Sequence, residues 1–236
     1  MNIDQPRRPE PEILDGLAAA DPRAQRSRMD LRRIHRAMGT LSIMRRALEW
    51  ATASSCPQRL LEIGAGDGSL LLRLGQCKAA RWPALNVTLL DRVETVEAQT
   101  LEGFKRLGWS PTVVTMDLFD WLKNAEDLRW DVVCATLFLH HFSSNELRRL
   151  LSDIASKTHV FFCCEPRRSS LALAGSHVVG LLGAGPVTRA DAVASVHAGF
   201  SGRELTSLWP DHAHWQLEEY AAGLFSHAFL AVRNQA

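Results

Sequence analysis

Short apolar runs alternate with helical or polar stretches from residue 60 onward. The apolar runs cover residues 60–63, 87–90, 112–116, 132–137 and 158–164. Runs of this length are typical of buried parallel strands, and helices between them are typical of a sheet covered on both faces. Two more runs, residues 215–222 and 225–232, are close enough to pair as a hairpin through Gly223. The pattern predicts an α/β fold with a doubly wound, seven-stranded sheet that ends in an antiparallel hairpin.

The first 55 residues show helical periodicity and no strand pattern. Asp21 and Pro22 predict a helix start, with a capping side chain and a proline in the first turn. The apolar face of this helix carries Leu31, Ile34, His35 and Met38, and the opposite face carries Arg23, Arg26, Arg32, Arg33 and Arg36. Gly39 ends it, and a second amphipathic helix follows over residues 41–53. We expect a helical arm, residues 1–55, whose arginine face is either solvated or part of a lid over a pocket.

A glycine-rich segment follows the first predicted strand. Glu62 is followed by Gly64, Gly66 and Gly68, and leucines then begin a helix. Glycines let the backbone turn sharply and approach a ligand closely, and the N–H groups of the helix N-terminus point at that ligand. Asp91 ends the next strand, 23 residues after Gly68 (91 − 68), and its carboxylate offers two acceptors to two ribose hydroxyls. These features predict a nucleotide-cofactor site.

The order Glu-x-Gly-x-Gly-x-Gly resembles motif I of the class I S-adenosylmethionine-dependent methyltransferases. The resemblance covers roughly residues 60–233 and implies a Rossmann-like fold and S-adenosylmethionine as cofactor. An antiparallel last strand beside the fifth strand is the topological mark of that family. The resemblance assigns these residues to the cofactor: Glu62, Gly64, Ala65, Gly66, Asp67, Asp91, Arg92, Asp117 and Leu118. For Asp117, which would accept the adenine amino group, a helix N-cap is the alternative.

The fourth predicted strand leads into Leu139-His140-His141-Phe142-Ser143. This segment resembles a Leu-His-Asp-Trp-Ser loop of O-methyltransferases, in which the histidine is catalytic. His140 then takes the position of the base, or of an orienting group, and His141 stands where that subgroup has aspartate. Phe138 would contact the substrate. The alternative is a histidine that caps the next helix and packs under the cofactor.

Residues 167–200 form a predicted insertion that caps the substrate. Its apolar stretch, residues 171–187, is too short and too interrupted for a membrane span. An apolar roof predicts an apolar or aromatic acceptor. His177 is either a polar group that contacts the acceptor or a packed core histidine.

Composition narrows the function classes. The chain has 236 residues, 46% of them hydrophobic, which suits one core and one domain, residues 56–236, behind the arm. A formal net charge of +1 argues against nucleic acid as a partner. Cysteines within apolar runs and the polar, proline-rich start predict a cytoplasmic protein with reduced thiols, either a monomer or a homodimer. No metal is expected, because the histidines lack i, i+4 spacing and no acid cluster accompanies them.

We therefore expect methyl transfer to a small hydroxylated molecule such as a phenol, quinol or polyketide-like compound. Carbon and nitrogen acceptors use the same cofactor half and stay open. The hypothesis from another class is a binding protein that has kept the fold and lost the reaction. A dehydrogenase is disfavoured by Gly68 and by the terminal hairpin.

Overall fold

The structure, a computed structural model, describes residues 6–125 and 128–234. Seven strands form one sheet in the order β3-β2-β1-β4-β5-β7-β6. The first five strands are parallel, and β7 pairs antiparallel with both β5 and β6. The strands are β1 Arg59–Ile63, β2 Asn86–Asp91, β3 Ser110–Thr115, β4 Trp130–Thr136, β5 Thr158–Pro166, β6 Trp215–Ala222 and β7 Ser226–Arg233. The predicted sheet and terminal hairpin are confirmed.

Nine α-helices are described in these two ranges. They are α1 Pro22–Met38, α2 Thr40–Ala51, α3 Ser69–Lys78, α4 Ala98–Arg106, α5 Leu118–Asn124, α6 Ser144–Lys157, α7 Ser170–His177, α8 Pro186–Ala198 and α9 Glu204–Leu208. Asp21 caps α1 as predicted, accepting from the Arg23 N–H. Gly39, at φ +68°, separates α1 from α2 in the left-handed conformation that favours glycine.

The two faces of the sheet pack against separate helical layers, because side chains alternate along each strand. On β4, Val133 and Ala135 face the layer of α5, α6 and α9. Val132 and Cys134 face the layer of α2, α3 and α4. Helix α2 therefore contributes directly to the core of the sheet, whereas α1 lies over the carboxyl ends of the strands, where it lines a cavity.

The predicted insertion folds as α7, a short 3₁₀ turn Val179–Leu182, and α8. It is attached to α1 through the buried carboxylate of Asp30, which accepts from the Gly185 N–H at 2.8 Å and from the Thr188 hydroxyl at 3.0 Å. Helix α1 and the insertion thus form one continuous cover over the strand ends.

All five cysteines are free. Cys134, Cys163 and Cys164 are buried in the sheet, whereas Cys56 and Cys77 are exposed. None of the described helices combines the length and hydropathy that a membrane crossing requires.

Candidate functional site

The glycine loop begins where β1 ends. Gly64, Gly66 and Gly68 all have positive φ, between +54° and +68°. A Cβ added to Gly64 would clash with the ring of Phe138, whereas among the described residues no atom lies within 4 Å of a Cβ added to Gly66. The first glycine therefore admits the neighbouring loop, and Gly66 borders open space in the cavity.

Asp91, at the end of β2, fixes this loop. One carboxylate oxygen accepts from the Gly66 N–H at 2.8 Å and the other from the Val93 N–H at 3.0 Å. A carboxylate has about four acceptor positions, so both oxygens retain capacity for hydroxyl donors in the cavity. Asp91 lines the cavity, and these two hydrogen bonds fix the orientation of its carboxylate.

Glu62 lies beneath the loop and is only 2% exposed. Within the described part of the chain, its Oε2 atom has no hydrogen-bond partner, although the residue lines the cavity. Burial, and then the negative charges of Asp67 and Asp91, raise the pKa of Glu62 to about 8. A cationic ligand group placed here would relieve both the missing hydrogen bond and the unfavourable field.

Asp67 connects the loop to the helical cover. One oxygen accepts from the Ser69 N–H at 2.8 Å, and the other forms an ion pair with Arg32 of α1. Burial opposes ionisation of Asp67, but hydrogen bonds to Ser69 and Arg32 outweigh it and lower its pKa. At this position the arginine face of α1 contacts the glycine loop.

The remaining predicted cofactor residues lie around the same cavity. Asp117 caps α5 with Oδ1, which accepts from the N–H groups of Phe119 and Asp120. Both capping bonds go to Oδ1, so the capping and ligand-binding interpretations are compatible. Leu118 is buried beside it, and Arg92 forms an exposed ion pair with Asp15 at 3.2 Å. We call the loop from Glu62 to Ser69, together with Asp91 and Asp117, the cofactor end.

His140 lies in the turn after β4, lines the same cavity and is 2% exposed. Its Nδ1 lies 2.8 Å from Glu165 Oε2, and its Nε2 lies 3.2 Å from Glu12 Oε1. Burial opposes the charged form, but the hydrogen bonds to Glu12 and Glu165 outweigh it and raise the pKa of His140 to about 9. Since both ring nitrogens are engaged, this geometry supports the orienting role expected for His140 better than that of a base with a free lone pair.

Glu165, at the end of β5, holds the whole turn that follows β4. It is fully buried and accepts from the backbone N–H groups of Phe138, Leu139 and His140 at 3.0–3.4 Å. The turn needs this support because Leu137, directly before it, has φ +51°, a conformation that is strained for a branched residue.

His141 and Phe138 complete this wall of the cavity. His141 Nδ1 lies 3.3 Å from Asp15 Oδ2, and its ring lies 4.3 Å from that of His140, centroid to centroid. This contact is the main cause of the lowered pKa of Asp15. Phe138 is half-buried and separates the histidines from Gly64.

The N-terminal segment closes over these histidines. Arg7 donates to the carbonyls of His140, Phe142 and Ala198 at 2.8–3.2 Å. Asp191 of α8 accepts from the N–H groups of Ile13 and Leu14, and the Ser195 hydroxyl donates to Glu12. We call this segment, residues 7–15, together with residues 138–142, Glu165 and the cover of α7 and α8, the acceptor end.

His35 also belongs to the site, although the sequence pattern placed it on the apolar face of α1 and assigned it no function. It lines the cavity, and within the described residues its Nδ1 is buried without a hydrogen-bond partner. Burial lowers the pKa of His35 to about 4, so this imidazole is neutral at pH 7.

One cavity of about 1010 Å³ joins both ends. Its cover is mostly apolar and consists of residues from α1 and from the insertion, among them Leu31, Ile34, Met38, Ala172, Val179 and Val196. His177 is not part of it: the side chain ends α7 on the exposed surface and does not line the cavity. Both interpretations of His177 are therefore wrong, because the last turn of α7 directs Ser176 and Val178, but not His177, at the cavity.

Several site residues were missed by the sequence reasoning. Glu12 and Asp15 lie in a polar, proline-rich stretch that carries no motif, and they reach the histidines only in the folded chain. Glu165 had a weak signal, as an acid at the end of an apolar strand. The expectation that no acid accompanies His140 and His141 is wrong, because Glu12, Asp15 and Glu165 all contact them.

Comparison with known proteins agrees with this architecture. A family model described as a methyltransferase domain matches residues 23–221. No curated protein sequence matches the chain.

Solved structures share the fold at low identity. The plantazolicin methyltransferase BpumL in complex with SAH has a TM-score of 0.64 at 14% identity, covering 91% of this chain and 92% of that one. An O-methyltransferase family protein from Burkholderia thailandensis has a TM-score of 0.61 at 16% identity, covering 92% of this chain and 62% of that one. Magnesium protoporphyrin IX methyltransferase (ChlM) from Synechocystis PCC 6803 with bound SAM has a TM-score of 0.52 at 14% identity, covering 94% and 88%.

Proposed function

The chain belongs to the methyltransferase domain family and is an S-adenosylmethionine-dependent methyltransferase; from that premise we propose that its acceptor is a small aromatic or apolar molecule with a hydroxyl group. The observation that carries the proposal is the single cavity that joins the glycine loop to an apolar cover, with His140 and His141 on its wall.

The cofactor end suits S-adenosylmethionine group by group. Asp91 would bind the ribose hydroxyls, and Asp117 Oδ2 the adenine amino group beside Leu118. The orphaned Oε2 of Glu62 would receive the amino group of the methionine portion, since a buried carboxylate without a partner is stabilised by a cationic donor. Gly66 leaves the space that the ligand needs.

The acceptor end would position a hydroxyl oxygen. When bound, S-adenosylmethionine supplies an electrophilic methyl group on a sulfonium sulfur. That methyl group would replace the hydroxyl proton of the acceptor, and the other products would be S-adenosylhomocysteine and one proton. His140 and His141 orient the oxygen, and the apolar cover excludes bulk water from the site. Holding two reactants in line accelerates such a displacement even without proton transfer.

Nitrogen methylation is the second candidate. Glu12 and Asp15 place two carboxylates on the cavity wall at the acceptor end, called the acceptor wall below. These carboxylates would attract an ammonium group. Carbon methylation and a catalytically silent binding protein also stay open, but no specific contact favours either.

Radiolabelled S-adenosylmethionine, offered with matched phenols, quinols and amines, tests the proposal. We expect label in an O-methyl product of an apolar phenol or quinol. Label only in amines would replace the hydroxyl acceptor with the nitrogen one. Absence of transfer to any acceptor, with S-adenosylhomocysteine still bound, would favour the silent binding protein.

Calorimetry tests the cofactor end separately. Asp91→Ala should weaken binding of S-adenosylhomocysteine by about 1–3 kcal/mol, because charged hydrogen bonds to the ribose are lost. Asp91→Asn keeps the side-chain shape, so its affinity for S-adenosylhomocysteine should lie between those of the unmodified protein and of Asp91→Ala. Binding of NAD, with no response to the adenosylated compounds, would overturn the assignment.

A further inference from the structure

The cluster on the acceptor wall contains a set of metal-ligating groups that methyl transfer itself does not require. Among the described residues, Glu12, His140 and His141 each offer one ligand atom, and these atoms all lie within 4.8 Å of one another. The three residues come from two segments that are more than 120 positions apart in the chain. All three line the cavity.

The distance between two of these ligand atoms matches a coordination sphere. Ligands at about 2.0–2.2 Å from one zinc ion lie about 3.0–3.5 Å from each other. His140 Nε2 and Glu12 Oε1 are 3.2 Å apart. The His141 side chain is 23% exposed, and its ligand atom lies within 4.8 Å of the other two.

The Nδ1 atom of each histidine also contacts a carboxylate. Glu165 accepts from His140 Nδ1 at 2.8 Å and is itself held by three backbone N–H groups. Asp15 lies 3.3 Å from His141 Nδ1. Histidines that bind metal almost always carry such a partner, which fixes the ring orientation and raises the basicity of the ligand.

Carboxylates and arginines both surround the two imidazoles of the cluster. Arg92 pairs with Asp15, and Arg7 donates to the carbonyls of His140 and Phe142. Glu12 and Glu165 are the carboxylates that contact His140 directly, and they would face a cation bound there.

We propose that Glu12, His140 and His141 form a binding site for one divalent transition-metal ion of the zinc type on the acceptor wall of the cavity. Two imidazoles and one carboxylate leave coordination positions open, and these face the cavity. The site rests on the proposed function in one respect: its natural further ligand is the oxygen of the hydroxylated acceptor, which the ion would polarise.

Binding of Co²⁺ and Zn²⁺ alone tests the site without any acceptor. The protein is first treated with a chelator and carries Cys56→Ser and Cys77→Ser, so that its exposed thiols do not bind the ions. We expect one equivalent of Co²⁺ to produce the absorption of a four- or five-coordinate ion, and one equivalent of Zn²⁺ to displace it. Calorimetry with Zn²⁺ should give the same stoichiometry.

Variants assign the ligands. Glu12→Gln and His141→Ala should each weaken Co²⁺ binding more than 10-fold, and Asp15→Asn should weaken it about 10–100-fold through the histidine that it orients. His177→Ala is the matched control, since that histidine is exposed and outside the cavity; it should not change binding. Far-ultraviolet circular dichroism checks that each variant is folded.

S-adenosylhomocysteine is titrated into the same samples, so that the two proposals fail separately. Binding of S-adenosylhomocysteine without saturable Co²⁺ or Zn²⁺ binding would overturn the metal site, reduce the cluster to a charge-paired histidine and leave the methyltransferase assignment intact. Equal Co²⁺ affinity in all the variants would show an adventitious site elsewhere and would equally overturn the proposal.

Discussion

The two ends of the cavity are built in different ways. The cofactor end comes mainly from one short segment, Glu62 to Ser69, and the carboxylate that organises it, Asp91, is 25 positions from Gly66. The acceptor end joins the N-terminal segment to the turn after β4 and to β5, and its Glu12–His140 contact spans 128 positions.

The difference lies in what fixes each geometry. Backbone conformation fixes the cofactor end, through three glycines at positive φ and N–H groups held by Asp91. Buried charge fixes the acceptor end, where Glu165 and Glu12 enclose His140. A site fixed by glycines at positive φ is disrupted by one added Cβ but little affected by changes of charge. A site fixed by buried ion pairs is disrupted by the loss of one charge.

The largest effect on stability should come from Glu165→Ala. This change removes the acceptor of three backbone N–H groups and one imidazole from a fully buried site. Removing one partner of a buried ionic pair costs about 3–5 kcal/mol of unfolding free energy, and urea unfolding followed by circular dichroism measures it.

Glu219 offers a matched control for that variant. It is also a buried glutamate, it accepts from the N–H groups of Leu205 and Thr206, and it lies 2.8 Å from His227 Nε2. Glu219 does not line the cavity. Glu219→Ala should destabilise the fold by a similar amount yet leave methyl transfer intact below its unfolding temperature. Equal loss of transfer in both folded variants would contradict a specific role for the acceptor end.

A pair of alanine substitutions in the loop should separate folding from cofactor binding. Gly64→Ala forces a side chain into positive φ and against Phe138, which together cost about 2–4 kcal/mol of unfolding free energy. Gly66→Ala meets no atom of the described residues within 4 Å and costs about 1–2 kcal/mol, for backbone strain alone.

The order of the two variants should reverse when cofactor binding is measured: Gly66→Ala, the more stable variant, should lose more affinity for S-adenosylhomocysteine than Gly64→Ala. Gly66→Ala places a methyl group in the open space next to the loop, so its stable fold should bind S-adenosylhomocysteine at least 10-fold more weakly. Unchanged affinity in Gly66→Ala, measured by calorimetry, would mean that the space at Gly66 is not part of the cofactor site.

The fold could be predicted from the sequence because its signals are local. Apolar runs separated by helical segments predicted a doubly wound sheet, and the runs on either side of Gly223 predicted the hairpin, whereas the strand order comes from the structure. Boundaries were less accurate: β4 ends at Thr136 rather than 137, where the left-handed Leu137 leaves the ladder. No local pattern announces a positive φ at a leucine.

The acceptor end could be predicted only in part, because it depends on long-range contacts. The position of His140 and His141 at a strand end placed them at the cavity. Their carboxylate partners lie in two distant segments, Glu12 and Asp15 in residues 7–15 and Glu165 at the end of β5, so spacing could not pair them. His177 was misplaced for a related reason: one helical turn of α7 decides which side chains face the cavity, and the sequence of that helix is too weakly amphipathic to settle its rotation.

Glu62→Gln should reveal the electrostatics of the cofactor end. The pKa of Glu62 is raised to about 8 by burial and by Asp67 and Asp91, and Cys134 is the other titratable group that interacts with it. The folded state therefore keeps a proton that the unfolded state loses near pH 4.5. Stability from this group is present below pH 4.5 and is lost as the pH rises toward 8, by at most about 1.4 kcal/mol per pH unit.

The variant isolates that slope, since glutamine does not titrate. Subtracting its urea-unfolding free energies from those of the unmodified protein should give a difference that falls between about pH 5 and pH 8 and is flat above it. Other groups, such as His35, cancel in the subtraction. A difference that rises with pH would mean that Glu62 is ionised in the fold. Saturating S-adenosylhomocysteine should flatten the curve, because its amino group stabilises the ionised carboxylate.

The smallest effect on stability should come from Arg32→Ala, which tests whether the two ends are joined by a cover. Arg32 is 47% exposed and its partner Asp67 18% exposed, so the pair contributes roughly 0–1 kcal/mol to folding. The variant should affect cofactor release more than it affects folding stability, because this ion pair attaches α1 to the glycine loop. We expect S-adenosylhomocysteine to dissociate a few-fold faster from the variant in stopped-flow measurements, and the difference to shrink at high salt, where the pair is screened.

Arg23→Ala is the control: it removes a similar ion pair, with Asp21, from the exposed start of the same helix, and should leave dissociation unchanged. Equal dissociation rates in all three proteins would show that α1 does not act as a lid.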